Sequence, residues 1–504
     1  MENTVKRYGI LLGIVVIFIL LQIPTFTIEP PVFMDETILS NTAYVLTGFS
    51  DIGSKTFDKQ FSIIDPIQYR MYGHVYFIIL AYAFRLFPYT IVTIRVFSLF
   101  FGVLSLIMFY LLFKRITKNE RLSLFVSAVY ATDYFILKAS HFGRVDIVVV
   151  FFILSSFIAY HTFPNSKLRI IGTNVGLILS FFTHTFLGIF STVTIGLSIL
   201  ITQSSWKEKY FKVIKYLTFP TIGLIVWVIY LIFIGEKITA SDTGRFYLSS
   251  IFSFLGMLPI RILFSDNTLY TWINFLAMCL VGIVGLWFGK TKYSRFFLIF
   301  FWIVFFMTMW RASYFYIFFI SIAMLLLAGA IIYEHVSMRK VGYIFLSAYM
   351  MLNLVQSMTL IKNINGVTYS DYYKGISKCI PKKDANVLLW QITPDPFFQL
   401  VEERSDIRFG YMPVVNGEKI FMSLLPKADY VVMTYSYVYA IQEKKIWTEK
   451  NKILPEYRAE LEKNFNISFL EYIKSNSNSG CPVYFQNNPN APVAIVFVLH
   501  PTQK

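Results

Sequence analysis

Charge is scarce in this chain. Of its 504 residues 15% are Asp, Glu, Lys or Arg, against about 25% in an ordinary soluble domain. A soluble core of this size needs a charged shell, and the composition excludes one. Acidic residues are the scarcer sign, 29 against 45 basic, for a net charge of +16. That balance does not indicate nucleic acid, because the basic residues sit in short clusters between apolar runs rather than on one polar face. Cysteine is rarer still, with three in the chain and no zinc-ligand spacing. Cys279 lies in an apolar run. Cys379 and Cys481 lie in the polar C-terminal part, where they either pair, if that part is outside the cytoplasm, or remain thiols. There is no internal repeat and no low-complexity tract.

Apolar residues make up 56% of the chain and aromatics 18%. Apolar runs long enough to cross a bilayer succeed one another over 8–28, 91–113, 121–138, 146–162, 169–184, 186–202, 213–234, 270–289, 296–310, 314–333 and 341–361. These predict a polytopic α-helical membrane protein of about 11 transmembrane helices. The first run follows Lys6-Arg7, is long and continues into QIPTF, so an uncleaved first span is expected rather than a signal peptide.

Basic residues test the order of these spans. KRITKNER (114–121), SKLR (166–169), KEKYFKVIK (207–215), GKTKYSR (289–295) and SMRK (337–340) alternate with SHFGRVD (140–146), FTHTF (182–186) and MWRASY (309–314), which hold one basic residue each at most. The alternation puts the N-terminus in the cytoplasm and the C-terminal part outside. Two long outer segments are expected at 29–90 and 235–268. YRMYGHVYFIILAYAFRLFPY in the first reads as helices lying along the membrane face, since it carries Arg70, His74 and Arg85. The expected organisation is therefore a membrane module over 1–362 and a small soluble α/β domain over 363–504. Strand signals there are ANVLLWQI, ADYVVMTYSYV, CPVYFQ and APVAIVFVLH. TEKNKILPEYRAELEKNF reads as helical; SNSNSG and QNNPNAP read as turns. Usage rich in Ile, Asn and Lys fits an AT-rich genome and a prokaryotic plasma membrane.

Ionisable groups at membrane depth cost about 2.5–3.5 kcal/mol each at mid-bilayer and tend to be functional. Asp35, Glu36, His74, Arg144, Asp146, His184 and Arg311 all fall on the outer face, at span ends or adjoining loops. Each has a plain alternative. Asp35-Glu36 alone is an ordinary solvated pair, and Asp146 is placed to cap a helix. Arg144 and Arg311 suit interfacial anchors, and His74 and His184 suit hydrogen-bonded histidines. Taken together they suit a phosphate. Arginine grips phosphate with two parallel hydrogen bonds, and a nearby carboxylate serves as general base toward a hydroxyl or amine. A phosphate held at the membrane surface beside a base suggests a lipid-phosphate substrate, and if that phosphate bears a sugar the reaction is glycosyl transfer. One carboxylate then suffices, because the departing phosphate is already a stable anion.

The acid pair in PPVFMDETILSN, the histidine before an apolar run in YGHVYFIILAYAFRLFP and the Arg-x-Asp of SHFGRVDIVVVFFIL together resemble the GT-C glycosyltransferases. The nearest branch is that of protein O-mannosyltransferases and aminoarabinose transferases, glycosyltransferase family 39-like. The resemblance covers about residues 5–200 and continues through RASYFYIFFISIAMLLLAGAIIY. It implies the GT-C fold and an inverting transfer of a hexosyl or pentosyl group, from a polyprenyl-phosphate donor to a lipid, glycan or protein acceptor on the extracytoplasmic face. It makes Asp35 the general base with Glu36 beside it and Asp146 the second loop acid. His74, Arg144 and Arg311 become donor-phosphate contacts, with His184 a substrate contact. The branch's His- or Lys-Pro-Pro-Leu segment reads Gly73-His74-Val75-Tyr76 here, which leaves the role of His74 open. No metal or other cofactor is expected. Two other classes stand beside this one. A multi-spanning transporter would carry its charges at mid-membrane, usually with repeat symmetry. A surface-polysaccharide polymerase or ligase would rely on a large late loop rich in Arg and His, whereas 235–268 holds Arg245 and Arg261 and no histidine.

Overall fold

The structure, a computed structural model, describes residues 2–28, 31–47, 73–163, 165–202, 205–234, 269–311, 316–364, 367–390, 392–404, 406–411, 424–434, 452–456, 458, 467–485 and 488–499. The helices in order are α1 (Glu2–Leu20), α2 (Met34–Val45), α3 (His74–Leu86), α4 (Ile91–Thr117), α5 (Glu120–Thr132), α6 (Tyr134–His141), α7 (Asp146–Thr162), α8 (Ser166–Thr183), α9 (Thr185–Thr202), α10 (Trp206–Ile234), α11 (Leu269–Phe288), α12 (Lys292–Arg311), α13 (Ile317–Glu334) and α14 (Arg339–Ile364). Among the described residues each of the 11 expected spans overlaps helix. Among the described residues six helices are long and apolar enough to cross a bilayer, and the bent pair α5–α6 makes a seventh. At 17 residues, α7 is near the lower length limit for a span.

The chain packs as two compact units. The first comprises Met1–Phe26, Arg70–Tyr76 and Arg95–Asn365. Its centre is α13, buried at every residue from Ile317 to Ile332. On its flanks, α1 exposes Leu12 and Leu20, α10 exposes Phe219 and Ile225, and α11 exposes Leu276 and Leu280. Large apolar side chains displayed along whole helix faces are a liability in water and the norm against lipid tails. Aromatic rings fill the interior, with Phe157 of α7 edge-on to Phe296 and Phe300 of α12. Small residues let backbones close up: a Cβ on Gly176 of α8 would lie 2.9 Å from the backbone of Ser156 in α7.

The run expected as one span over 121–138 is instead broken at Asp133, where α5 and α6 meet at 64°. The cause is local. Asp133 is fully buried, and its Oδ1 accepts the Ile136 N–H at 3.0 Å as an N-cap, which draws the chain out of the helix.

The second unit comprises Thr27–Tyr69, Phe77–Ile94 and Gly366–Lys504. It holds α2, most of α3 and a domain built on five strands, with α15 (Ser370–Lys378), β1 (Asn386–Trp390), α16 (Phe397–Glu403), β2 (Arg408–Tyr411), β3 (Tyr430–Thr434), α17 (Ile467–Asn476), β4 (Ser477–Phe485) and β5 (Asn488–Leu499). The sheet order is β2-β1-β3-β5-β4. β2, β1 and β3 run parallel, while β5 pairs antiparallel with β3 and with β4. The four expected strands are present, and β2 and α16 are additional. SNSNSG and QNNPNAP are not simply turns. Edge strand β4 starts inside the first and β5 inside the second, because the ladder uses backbone groups and an edge tolerates polar side chains and irregular register. Cys379, at the end of α15, is disulfide-bonded to Cys481 of β4. The segment bearing the acid pair is fastened to this domain: the Asp395 N–H donates to the Val32 carbonyl at 2.7 Å, and the Tyr89 ring packs 5.4 Å from Phe398. Residues 48–72, 235–268 with Arg245 and Arg261, and most of 448–465 lie outside the described residues.

Candidate functional site

Within the first unit, three turns come together at helix ends. The turn between α6 and α7 carries Arg144 and Asp146, both 3% exposed. Asp146 is the first residue of α7, and the N-cap before it, Val145, makes no side-chain cap. The Asp146 carboxylate instead pairs with Arg144, Oδ2 to Nε at 3.0 Å. The guanidinium also stands 5.5 Å from the centre of the Phe142 ring, and the Tyr76 hydroxyl donates to the Gly143 carbonyl at 3.3 Å. Both contacts fix the turn that aims the arginine.

The break between α8 and α9 carries His184, 4% exposed. Its Nε2 lies 4.0 Å from Asp146 Oδ1 and 3.3 Å from the Tyr316 hydroxyl, while its Nδ1 accepts the Leu187 N–H at 3.5 Å, at the start of α9. His184 is thus a helix-end histidine and a neighbour of the ion pair at once. Tyr316, buried at the entrance to α13, is the residue that sequence reasoning missed. The only signal was its place in RASYFYIFF, where it is one tyrosine of 33.

The third turn brings in His74. The Gly73 N–H donates to the Thr183 carbonyl at 3.2 Å, one residue from His184. The approach is close enough that a Cβ on Gly73 would lie 1.7 Å from the Phe182 oxygen. Position 73 therefore requires glycine. His74 opens α3 half-buried, and burial holds its imidazole below the ordinary value of 6.5.

The acid pair belongs to the second unit. Asp35 is half-buried in the first turn of α2. Glu36 is fully buried, and its Oε2 accepts the Phe33 N–H at 3.1 Å. By accepting the Phe33 N–H, the carboxylate of Glu36 holds the start of the helix on which Asp35 rides. Arg311 is the last residue of α12, and its side chain lies outside the described residues. The structure therefore brings Arg144, Asp146, His184 and the backbone beside His74 together in one unit and places Asp35 and Glu36 in the other. Among the described residues no three His, Cys, Asp or Glu side chains are grouped to hold a metal ion.

No protein-family profile matches the sequence, and no curated protein does. The fold does find matches. The class it defines is a multi-pass helical membrane protein with the GT-C fold and a small sheet domain. Among solved structures the chain is similar to ArnT from Cupriavidus metallidurans in the apo state, with 11% identity and a TM-score of 0.56 over 99% of both chains. It is equally similar to ArnT bound to undecaprenyl phosphate, with 10% identity and a TM-score of 0.56 over 97% of this chain and 98% of that one. A match to the S. cerevisiae protein O-mannosyltransferase Pmt1-Pmt2 complex bound to the sugar donor has 15% identity and a TM-score of 0.34, covering 46% of this chain and 34% of that one. The expected GT-C fold is thus met in these structures.

Proposed function

We propose that the protein is a membrane glycosyltransferase that takes a sugar from a polyprenyl-phosphate donor and passes it to an acceptor on the extracytoplasmic face, with inversion. The observation that carries the reading is the buried Arg144–Asp146 pair with His184 and Tyr316 beside it, in a chain that shares the ArnT fold over 99% of its length. An arginine held rigid by a buried carboxylate is preorganised for a phosphate.

In this reading Arg144, His74 and Arg311 receive the donor phosphate, Asp146 orients Arg144, and His184 touches the substrate. The Asp35 carboxylate is the general base, and Glu36 holds its turn. Asp35 takes the proton of the acceptor hydroxyl or amine, and the freed pair attacks the anomeric carbon. The bond to the phosphate oxygen breaks, and polyprenyl phosphate departs with that electron pair. Positive charge beside the phosphate stabilises what builds there. No second carboxylate is needed as acid, unlike in glycoside hydrolases. The sugar is a hexose or pentose, and the acceptor a lipid, glycan or protein. The protein lies in a prokaryotic plasma membrane with its N-terminus cytoplasmic and residues 363–504 outside. The Cys379–Cys481 bridge supports that placement, since such bonds persist in oxidising compartments.

The test is a transfer assay on purified protein given a panel of short-chain polyprenyl-phosphate sugars. Polyprenyl phosphate release is followed for the wild type and for Asp35→Asn. Release by the wild type alone, with donor binding retained in the variant, is the expected result. Failure of every donor to bind would remove the glycosyltransferase reading. Equal release by the variant would remove Asp35 as the base.

A further inference from the structure

On the face of the first unit that bears the basic loops, the ends of α7, α8, α9, α10 and α12 surround a cavity of about 370 Å³. Arg169, Lys212 and Lys292 line it together with Tyr160, Tyr216 and His161, and among the described residues no carboxylate does. Three cations from three separate basic clusters thus meet around one space. An ordinary positive-inside loop has no reason to bring them together, since dispersed charge serves topology equally well. We propose that this cavity is an anion site that takes the phosphate of a lipid headgroup. It is separate from the Arg144 turn and does not depend on the transferase reading.

The walls are preorganised. The Nε and Nη2 of Arg169 both donate to the Phe163 carbonyl, at 2.8 and 2.6 Å, so the guanidinium is locked at the rim. The Tyr160 and Tyr216 rings pack 5.2 Å apart. Lys292 stands 4.9 Å from the centre of the Tyr293 ring, and His161 lies edge-on to that ring and to Phe296. The His161 Nε2 is buried and has no hydrogen-bond partner among the described residues.

A lipid is favoured over a soluble phosphate by depth. At the start of α10, Trp206 and Tyr210 are 79% and 65% exposed. Such aromatics stand at headgroup level in a bilayer, and Lys212 is two residues beyond. Basic pockets between spanning helices on the cytoplasmic side bind anionic headgroups.

The experiment uses the full chain in nanodiscs of phosphatidylcholine doped with phosphatidylglycerol, reading retained lipid by native mass spectrometry. Phosphatidylglycerol should be retained over phosphatidylcholine. Lys212→Gln and Lys292→Gln should each weaken that preference by about fivefold, Lys212→Arg should restore it, and Lys207→Gln, outside the cavity, should leave it intact. Equal retention of both lipids would overturn the proposal, and so would a loss with Lys207→Gln as large as with the cavity variants. A second arm adds inorganic phosphate and follows thermal unfolding. Lysine-dependent protection by phosphate without any lipid preference would also overturn it, assigning the cavity to a soluble anion. Unchanged unfolding of the variants in pure phosphatidylcholine checks that they fold.

Discussion

Removing the guanidinium of Arg144 should destabilise the protein while removing its whole ion pair should not, and both should have the same consequence for donor binding. The pair is buried, with 3.0 Å between Nε and Oδ2. Coulomb's law at an effective dielectric of about 20 gives such a pair roughly 5 kcal/mol of attraction. Desolvating each ion costs several kcal/mol, so the net stability of the pair is near zero. Arg144→Met leaves the Asp146 charge buried beside His184 and should cost about 3–5 kcal/mol. Arg144→Met with Asp146→Leu should recover most of that loss, since a packed apolar pair of similar size replaces the ions at little cost. Binding of a polyprenyl phosphate should fall in both, by about 10- to 100-fold if the arginine supplies a charge-assisted contact worth about 1.5–3 kcal/mol. The assay pairs thermal unfolding of the full chain in nanodiscs with a titration of short-chain polyprenyl phosphate. A double variant that binds as well as wild type would refute the phosphate role. A double variant as unstable as the single would show that the pair holds the α6–α7 turn by geometry, and the charge argument would fall.

Two further predictions concern the sheet domain. The Cys379–Cys481 bridge has a sequence separation of 102 residues, and a loop of about 100 residues is worth roughly 4.7 kcal/mol of unfolded-state entropy. With an m-value of about 2 kcal/mol/M, reduction should lower the urea midpoint by roughly 2 M, read by pulse proteolysis of the full chain. A shift under about 0.5 M, with thiol titration confirming reduction, would refute it. The Asp406 carboxyl is held down to about 2 by its hydrogen bonds and ion pair with Arg404, 2.8 Å away. A carboxyl lowered on folding contributes stability that is present above its unfolded value near 4 and is lost as pH falls toward 2. Asp406→Asn should therefore flatten the acid limb of domain stability between pH 4 and 2, and an unchanged limb would contradict the assignment.

The fold was legible in the sequence wherever period and charge agreed. The lysines and arginines at the ends of α4, α8, α10, α12 and α14 mark off helices whose apolar runs are unbroken, so the spans could be placed without tertiary knowledge. The candidate site was legible in part. Arg144 and Asp146 are two apart, and a charged pair at the mouth of an apolar run is visible in any reading. Tyr316 carries no such mark, because a tyrosine beside an apolar run is ordinary until His184 is placed next to it. Gly73 was noticed only as a departure from a pattern, since its reason is the Phe182 backbone more than 100 residues away. Glu36 looked like half of a catalytic pair, and its buried contact with the Phe33 N–H emerges only once α2 has a defined start. In the sheet domain β2 was missed because RFGY is too short to show an alternation, and parallel pairing with β1 decides it.

Asp133 was passed over because it stands inside an apolar run, and it permits a test that separates structural from functional carboxylates in the first unit. Its Oδ1 accepts the Ile136 N–H, and its Oδ2 accepts the Tyr349 hydroxyl at 2.7 Å and the Ser321 hydroxyl. Another N–H laid bare by the bend, that of Tyr134, goes to Asn353 Oδ1 at 2.9 Å. Asp133 is therefore surrounded by neutral donors, each satisfied at the helix break, whereas Asp146 faces an arginine and a histidine. Asp133→Asn keeps the capping oxygen, and the two hydroxyls can turn to accept from the new amide, so the cost should be about 1 kcal/mol. Asp133→Leu strips acceptors from three buried donors at about 1–3 kcal/mol each and should prevent stable folding. Neither asparagine variant should unfold the protein, yet Asp146→Asn should weaken polyprenyl-phosphate binding and Asp133→Asn should leave it unchanged. Loss of binding in Asp133→Asn at intact stability would mean that the α5–α6 bend serves the ligand, and burial of a carboxylate among neutral donors would no longer mark it as structural.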